Sequence, residues 1–377
     1  MKIGILTLPL HTNYGGILQA YALQTVLERM GHEVVVFDTN KERHLPLWKA
    51  PLSYGKRFVK KYLLNKKGIE VFIERKHNKE YPIVAQNTDA FIRKHIHIKK
   101  INGFEMLKEK DYDCIVVGSD QVWRPKYFTS MFSRIMENAF LMFAKQWHIR
   151  RIAYAASFGT DKWEYDSEQT KECGKLIKLF DGVSVREDSA VSLCREHFGT
   201  EAKHVLDPTM LLDKEDYIKL FKDANTPKSN GTLLCYVLDE TPEKSSLIKQ
   251  IAAERNLVPF RVNSKVEDAS APLNDRIQPP VEQWLRGFYD AEFVVTDSFH
   301  ACVFSILFGK QFLVVGNEGR GMSRFNSLLR MFGLEERLVV KNFDMKDITD
   351  IDYSQVHKKL KDKRDYSMNF LNKSLNS

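Results

Sequence analysis

The sequence predicts an α/β protein built from two doubly wound, parallel-sheet halves facing across a cleft. Three observations predict it. The chain opens on apolar "KIGILTL", a helical stretch "ILQAYALQTVLERMG" and a second apolar run, "HEVVVFDTN". Short apolar runs of this kind read as strands buried on both faces, and two of them joined by a helix commit the sheet to parallel pairing. The same alternation restarts after "FKDANTPKSNG" (221–231), whose polar residues, Pro and Gly mark a linker. Finally, 377 residues fit one very large domain or two ordinary ones, and 43% hydrophobic content is enough for a real core.

Each element follows in order. In the first helix Ile17, Ala20, Tyr21, Ala22, Leu23 and Leu27 make a wide apolar stripe, and Gly31 ends it. Residues 41–110 are strongly basic ("KRFVKKYLLNKKG", "FIERKHNKEY") and read as helices. Strands are expected at 113–120, 151–159, 182–188 and 202–211, with helical patterns between them, including "SMFSRIMENAFLMFAKQW". Beyond the linker come "TLLCYVL", helix "PEKSSLIKQIAAERN", "VPFRVN", helix "VEQWLRGFYDA", "EFVVTDS", helix "HACVFSILFG" and strand "QFLVVGN". The tail "SQVHKKLKDKRDYSMNFLNKSL" reads as a terminal helix returning to the first half. The division expected is a Rossmann-like unit over 1–220, a second over 221–345, and the helix over 346–377. Ligands of such sheets sit at the carboxyl ends of strands, so the cleft between two of them is where a site belongs.

Lys plus Arg number 57 against 49 acidic residues, a net charge of +8. That balance favours anionic partners without choosing among phosphates, nucleic acid and acidic lipid. No basic stripe interleaved with aromatics is visible, so nucleic acid is not expected. Five cysteines without CxxC spacing read as the reduced thiols of a cytosolic protein, neither a disulfide frame nor a zinc site. No metal-ligand spacing stands out, and metal-independent turnover is expected. No run approaches the roughly 18 apolar residues of a membrane helix. Within 56–67, Phe58, Val59, Tyr62 and Leu63 against basic residues fit a membrane-surface helix, although a solvated basic helix is the plainer reading. The expected location is the cytoplasm, with peripheral contact at the inner membrane face left open.

Four stretches carry chemistry, each with a plainer alternative. "NYGGILQAYAL" sets Gly15 and Gly16 at the first strand-to-helix turn, where backbone can approach a ligand. It is either a tight turn or a substrate-facing loop with Asn13 and Tyr14. It is not the G-x-G-x-x-G of a dinucleotide site, although Asp38 ends the second strand where a ribose-binding acid would sit. "VVGSDQVWRP" places Asp120, Gln121 and Trp123 past an apolar strand, as helix cap and core filler or as a sugar-binding group that stacks and hydrogen-bonds. "VSVREDSA" puts Arg186 at a strand end, either paired with Glu187 or Asp207 or free to clamp a phosphate or carboxylate; the clamp is favoured. In "TDSFHAC", Asp297 or Ser298 can cap a helix whose first turn holds His300. A satisfied, partly buried histidine is the bland outcome, and an anion site at the helix N-terminus the functional one. "NEGRGMSRFNSLLR" adds Arg320, Ser323 and Arg324 at the same sheet edge.

With these stretches in hand, the chain resembles the polysaccharide pyruvyl transferase family. "NYGGILQAYAL", "GSDQVW", "YAASFG", "SVREDSA", "LDPTMLL", "DSFHACVFSILFGKQFLV" and "SRFNSLL…GLEERL" run in family order from Lys2 to Leu338. The ordered series carries the likeness rather than any one motif. The resemblance implies a glycosyltransferase-B-like pair of Rossmann-like domains and transfer of pyruvate from phosphoenolpyruvate to sugar hydroxyls as a ketal, in surface polysaccharide synthesis. Its motif arginine matches Arg186 and its motif histidine His300. Many members have Arg-Leu-His where this chain has Ser298-Phe299-His300, so Arg324 or Arg320 would supply the missing charge.

The expected mechanism has His300 as acid–base group and Asp120 as a base near the acceptor. Arg186 and Arg324 hold the charges of phosphoenolpyruvate, with Arg320 and Ser298 beside them. Asn13, Tyr14, Gly15, Gly16, Gln121 and Trp123 face a sugar or lipid-linked oligosaccharide acceptor from the N-terminal half. Phosphoenolpyruvate enters as substrate, and no cofactor is expected. Two alternatives stay open: a nucleotide-sugar glycosyltransferase of the same fold, and a non-catalytic glycan-binding or assembly protein.

Overall fold

The computed structural model describes residues 1–376 apart from 40, 47, 67, 317–320 and 340–348. Two sheets organise it, and all the strand pairs within them are parallel. The first holds seven strands, β1 (Lys2–Leu6), β2 (Glu33–Asp38), β3 (Ile98–Lys100), β4 (Cys114–Val117), β5 (Arg150–Ala156), β6 (Gly182–Val185) and β7 (Lys203–His204). Their order is β3-β2-β1-β4-β5-β6-β7. The second holds five, β8 (Leu233–Tyr236), β9 (Pro259–Phe260), β10 (Phe293–Thr296), β11 (Gln311–Val315) and β12 (Leu338–Val339), ordered β12-β11-β10-β8-β9. Each order reverses once, between β1 and β4 in the first sheet and between β8 and β10 in the second. Crossovers diverge at such a point and leave a crevice beyond the strand ends. Cys114 of β4 registers with Ile3 of β1, and Phe293 of β10 with Leu233 of β8.

The apolar runs predict the strands best where both faces are covered: β4, β8 and β10 are buried along their whole length. Where the expectation ran long, polar chemistry explains it. β7 spans only Lys203–His204, because Asp207 caps a 3-10 turn at Pro208–Met210 and the proline has no N–H for the ladder. The helix expected through 130–147 is instead a helix over Pro125–Met131 followed by 3-10 turns at Met136–Phe140 and Met142–Ala144. Leu141 adopts a left-handed conformation between those turns. The Lys214–Asp223 helix, with Tyr217, Leu220 and Phe221 buried, runs through the boundary expected at 220/221.

A single apolar cluster crosses from one sheet to the other. It joins Leu18, Leu23 and Tyr154 to Trp284, Phe304 and Phe325. Separate clusters cover the far face of each sheet. Tyr14 begins the first helix (Tyr14–Arg29) yet donates its hydroxyl to the carbonyls of Pro279 (2.7 Å) and Val262 (3.3 Å) in the second half. The Tyr353–Asn376 helix lies along the first half: Ser367 Oγ accepts from Leu206 N at 3.0 Å, and Arg364 donates to the carbonyls of Met210 and Leu212. Among the described residues no helix is long and apolar enough to cross a membrane.

Candidate active site

The two reversal points face one another, and a cavity of about 310 Å³ lies between them. The loop after β1 supplies Asn13, the first turn of the following helix supplies Gly15 and Gly16, and the turn after β4 supplies Asp120 and Gln121. Across the gap, Ser298, Phe299 and His300 follow β10, and Arg324 comes from the Met322–Phe332 helix. Eight of the twelve expected site residues therefore line one space. Arg320 lies outside the described residues.

His300 is the point of contact between the halves. A Cβ on Gly15 would fall 2.0 Å from His300 Nδ1, so only glycine lets the ring lie there. The imidazole is 9% exposed, and its Nε2 sits 3.6 Å from Asp207 Oδ2. That is ion-pair range but beyond a hydrogen bond, and among the described residues Nε2 has no hydrogen-bond partner. The bland outcome, a satisfied histidine on a capped helix, is not what forms. Ser298 occupies the N-cap position of the Phe299–Leu307 helix without a side-chain cap bond. Asp297 is drawn away: its carboxylate accepts from Leu238 N, Asp239 N and Lys244 Nζ at 2.6–3.0 Å. Among the described residues neither Ser298 nor Asp297 therefore caps the first-turn amides of that helix, and the positive end of its dipole meets the cavity.

Three expected site residues do not line the cavity. Arg186, 4% exposed, lies beneath its floor, donating to Asp207 Oδ2 (2.7 Å), Asp120 Oδ1 (3.0 Å) and Glu187 Oε1 (3.4 Å). The ion pair weighed against a substrate clamp is thus what is built, because a guanidinium leaving a buried strand needs compensating charge. Trp123 is wholly buried, stacked on Phe140 at 4.9 Å with Nε1 donating to Ala139 O, and fills core instead of stacking on sugar. Tyr14 is wholly buried as the inter-half strut described above.

The charges form one network. Burial raises the Asp207 and Asp120 pKa values, but His300 and Arg186 outweigh it at Asp207, and Arg186, His300 and Arg324 do so at Asp120, so both stay below the usual range. Burial likewise disfavours the Arg186 charge, yet Asp120, Asp207 and Glu187 raise its pKa overall. Glu187 goes the other way: burial outweighs Arg186 and raises it. Arg324 is pushed down to about 10 by burial and by the like charge of Arg186. Phe299 lies between the two cations, its ring 4.7 Å from the Arg186 guanidinium and 5.4 Å from that of Arg324. An anion arriving beside Arg324 and the helix start would relieve that repulsion.

The chain matches the polysaccharide pyruvyl transferase family over residues 13–319. It belongs to that family. No curated protein matches it by sequence. Solved structures with a similar course include UDP-GlcNAc 2-epimerase from Methanocaldococcus jannaschii, at 12% identity and TM-score 0.48 over 96% of this chain and 92% of that one. Another is Arabidopsis thaliana UGT89C1 complexed with UDP-L-rhamnose, at 11% identity and TM-score 0.47 over 97% and 94%. A third is E. coli heptosyltransferase WaaC with ADP, at 12% identity and TM-score 0.39 over 96% and 100%.

For this pyruvyl transferase family member, sequence reasoning missed four groups at the site. Asp207 entered only as a partner for Arg186, although an Asp-Pro step closing a strand is a turn signal that sets a carboxylate at the sheet's rim. His11, from the loop after β1, also lines the cavity, and burial and Lys41 lower its pKa. Phe299 lies within the quoted motif, but its place between two arginines is a tertiary fact. Lys244, 53 residues from Asp297, fixes the turn before His300.

Proposed function

We propose that the protein transfers the pyruvyl group of phosphoenolpyruvate to two hydroxyls of a sugar as a cyclic ketal. The observation that carries the reading is the placement of His300. One half donates this buried imidazole, which rests on Gly15 of the other, beside Arg324 and an uncapped helix start. A small donor bearing carboxylate and phosphate fits the positive side of that space, and Asp120 offers its carboxylate to acceptor hydroxyls on the other.

The chemistry follows from the groups present. His300 protonates the methylene carbon of the donor, leaving an oxocarbenium at the adjacent carbon. The first sugar hydroxyl adds there and gives up its proton. Phosphate then leaves with the C–O electron pair, and the second hydroxyl closes the ring. One proton enters the new methyl group, two leave the hydroxyls, and phosphate carries the balance. Asp207, held by Arg186, stabilises the imidazolium and orients the ring from its Nε2 side, which leaves Nδ1 on the Gly15 side for transfer. Asp120, strongly ionised and paired with Arg186, suits orienting a hydroxyl better than removing its proton. Arg324 and the helix amides meet the developing charge on phosphate. The five cysteines are free and buried, which suits a reducing compartment and supports placement in the cytoplasm.

The test is incubation of purified protein with phosphoenolpyruvate and lipid-linked or nitrophenyl hexosides. Phosphate release that depends on acceptor is expected, with the acceptor gaining the mass of pyruvic acid less a water. No release across the acceptor panel, together with thermal stabilisation by nucleotide sugars and none by phosphoenolpyruvate, would assign the fold to glycosyl transfer instead.

A further inference from the structure

The Ala50–Phe58 helix and its π-helical continuation Val59–Leu63 contain no buried residue. Their orientation is inverted relative to an ordinary surface helix. The half-covered positions facing the protein are Ala50, Ser53, Tyr54, Arg57 and Lys61. Leu52 (66% exposed), Phe58, Val59, Tyr62 and Leu63 (72%) face solvent, and Trp48 (76%) and Leu64 extend the strip. An apolar stripe on a globular protein's helix normally turns to the core. Its outward display here is held in place: Arg57 makes a bidentate pair with Glu74 at 2.8 Å for both bonds, and Tyr54 packs on Phe72 at 5.0 Å. The exposed lysines Lys49, Lys56, Lys60 and Lys66 border the strip.

We propose that this segment docks the protein on an anionic lipid bilayer, lying in the headgroup plane with the apolar strip down and the lysines reaching outward to phosphates. At about 1.5 Å per residue it is too short to span the roughly 30 Å hydrocarbon core, so it rests on the surface. Apolar area plus basic flanks is the composition that partitions to anionic interfaces. A second copy of the chain would bring the same lysines against these and repel. This inference stands apart from the pyruvyl-transfer reading, and either can fail without the other.

The test is co-sedimentation of the full-length protein with vesicles of phosphatidylcholine, with and without about one-third phosphatidylglycerol. Binding to the anionic vesicles alone, weakened by salt, is expected. The triple variant Leu52→Ser, Phe58→Ser, Leu63→Ser and the double variant Lys56→Glu, Lys60→Glu should each lower partitioning by about tenfold or more. Unfolding temperature and turnover of a water-soluble acceptor should be unchanged, since every altered side chain is exposed. If the triple variant proves unstable, the charge reversal decides alone. Failure of the wild type to sediment with anionic vesicles at low salt overturns the proposal, as does equal binding to neutral ones. A wild-type dimer that the triple variant converts to monomer also overturns it, assigning the strip to a copy–copy interface.

Discussion

Replacing Arg186 by methionine tests whether this arginine holds the site's floor together or grips substrate. Its side chain is 1% exposed and pairs with three carboxylates, so the substitution would leave Asp120, Asp207 and Glu187 buried without their shared cation. Breaking a buried pair from one side costs about 3–5 kcal/mol. The pH dependence identifies the cause. In the wild type Asp120 and Asp207 sit below their unfolded values of about 3.9, so they favour folding above that pH and lose the contribution as pH falls through their lower folded values. Without Arg186, Asp120 loses the largest charge opposing its burial and rises above the unfolded value, whereas Asp207 keeps the His300 contribution and stays lower. Asp120 then opposes folding at neutral pH, and this opposition fades as pH falls through the raised value. Urea unfolding of R186M should therefore show a deficit that is largest near about pH 8 and shrinks toward about pH 5. Glu187→Gln, at a carboxyl already raised by burial, should cost far less. A deficit under about 1 kcal/mol, or one independent of pH, would refute the structural role and return Arg186 to the substrate.

Further outcomes follow from the same geometry. His300→Gln should lower kcat by about 10²–10⁴-fold in the phosphate-release assay and should also lower the unfolding midpoint, since the imidazole helps hold the buried Asp207 and Asp120 carboxylates ionised. Gly15→Ala should abolish turnover, because its Cβ overlaps the imidazole, and should cost about 1–3 kcal/mol in denaturant unfolding. Arg324→Met should raise KM for phosphoenolpyruvate more than it lowers kcat; unchanged donor affinity in a binding titration would remove Arg324 from the donor site. Ser298→Arg, which adds a cation at the start of the His300 helix, should tighten donor binding by about tenfold, read by thermal shift.

The strands that carry the site were legible because burial on both faces writes an uninterrupted apolar run, and the polar residues after "IVV" and "FVVT" marked where those runs reach a rim. That rule located Asp120, Gln121, Ser298 and His300. It could not tell which side of the rim a long side chain takes. Arg186 turned inward because Asp120, 66 residues away, and Asp207, 21 residues away, meet beneath the strand ends, which only the strand order β1-β4-β5-β6-β7 brings about. Trp123 and Tyr14 sat inside the right motifs, yet their rings fill core, since a motif fixes a backbone turn more firmly than the direction of an aromatic. Periodicity misled at 130–147, where a helical apolar pattern was cut by a left-handed Leu141. Over 56–67 the pattern fitted a membrane-surface helix or a solvated one, and that Phe58, Val59, Tyr62 and Leu63 all face outward is a tertiary fact.

The apolar cluster that passes from Leu18 and Tyr154 to Trp284 and Phe304 has a consequence for how the molecule comes apart. Neither sheet can lose its inner layer without stripping the other's, and the Tyr353–Asn376 helix, which follows the second sheet in the chain, belts the N-terminal one. Heating should accordingly yield one calorimetric peak rather than two, and a chain ended near residue 230 should emerge sticky and partly molten, its architecture awaiting the portion still to be made.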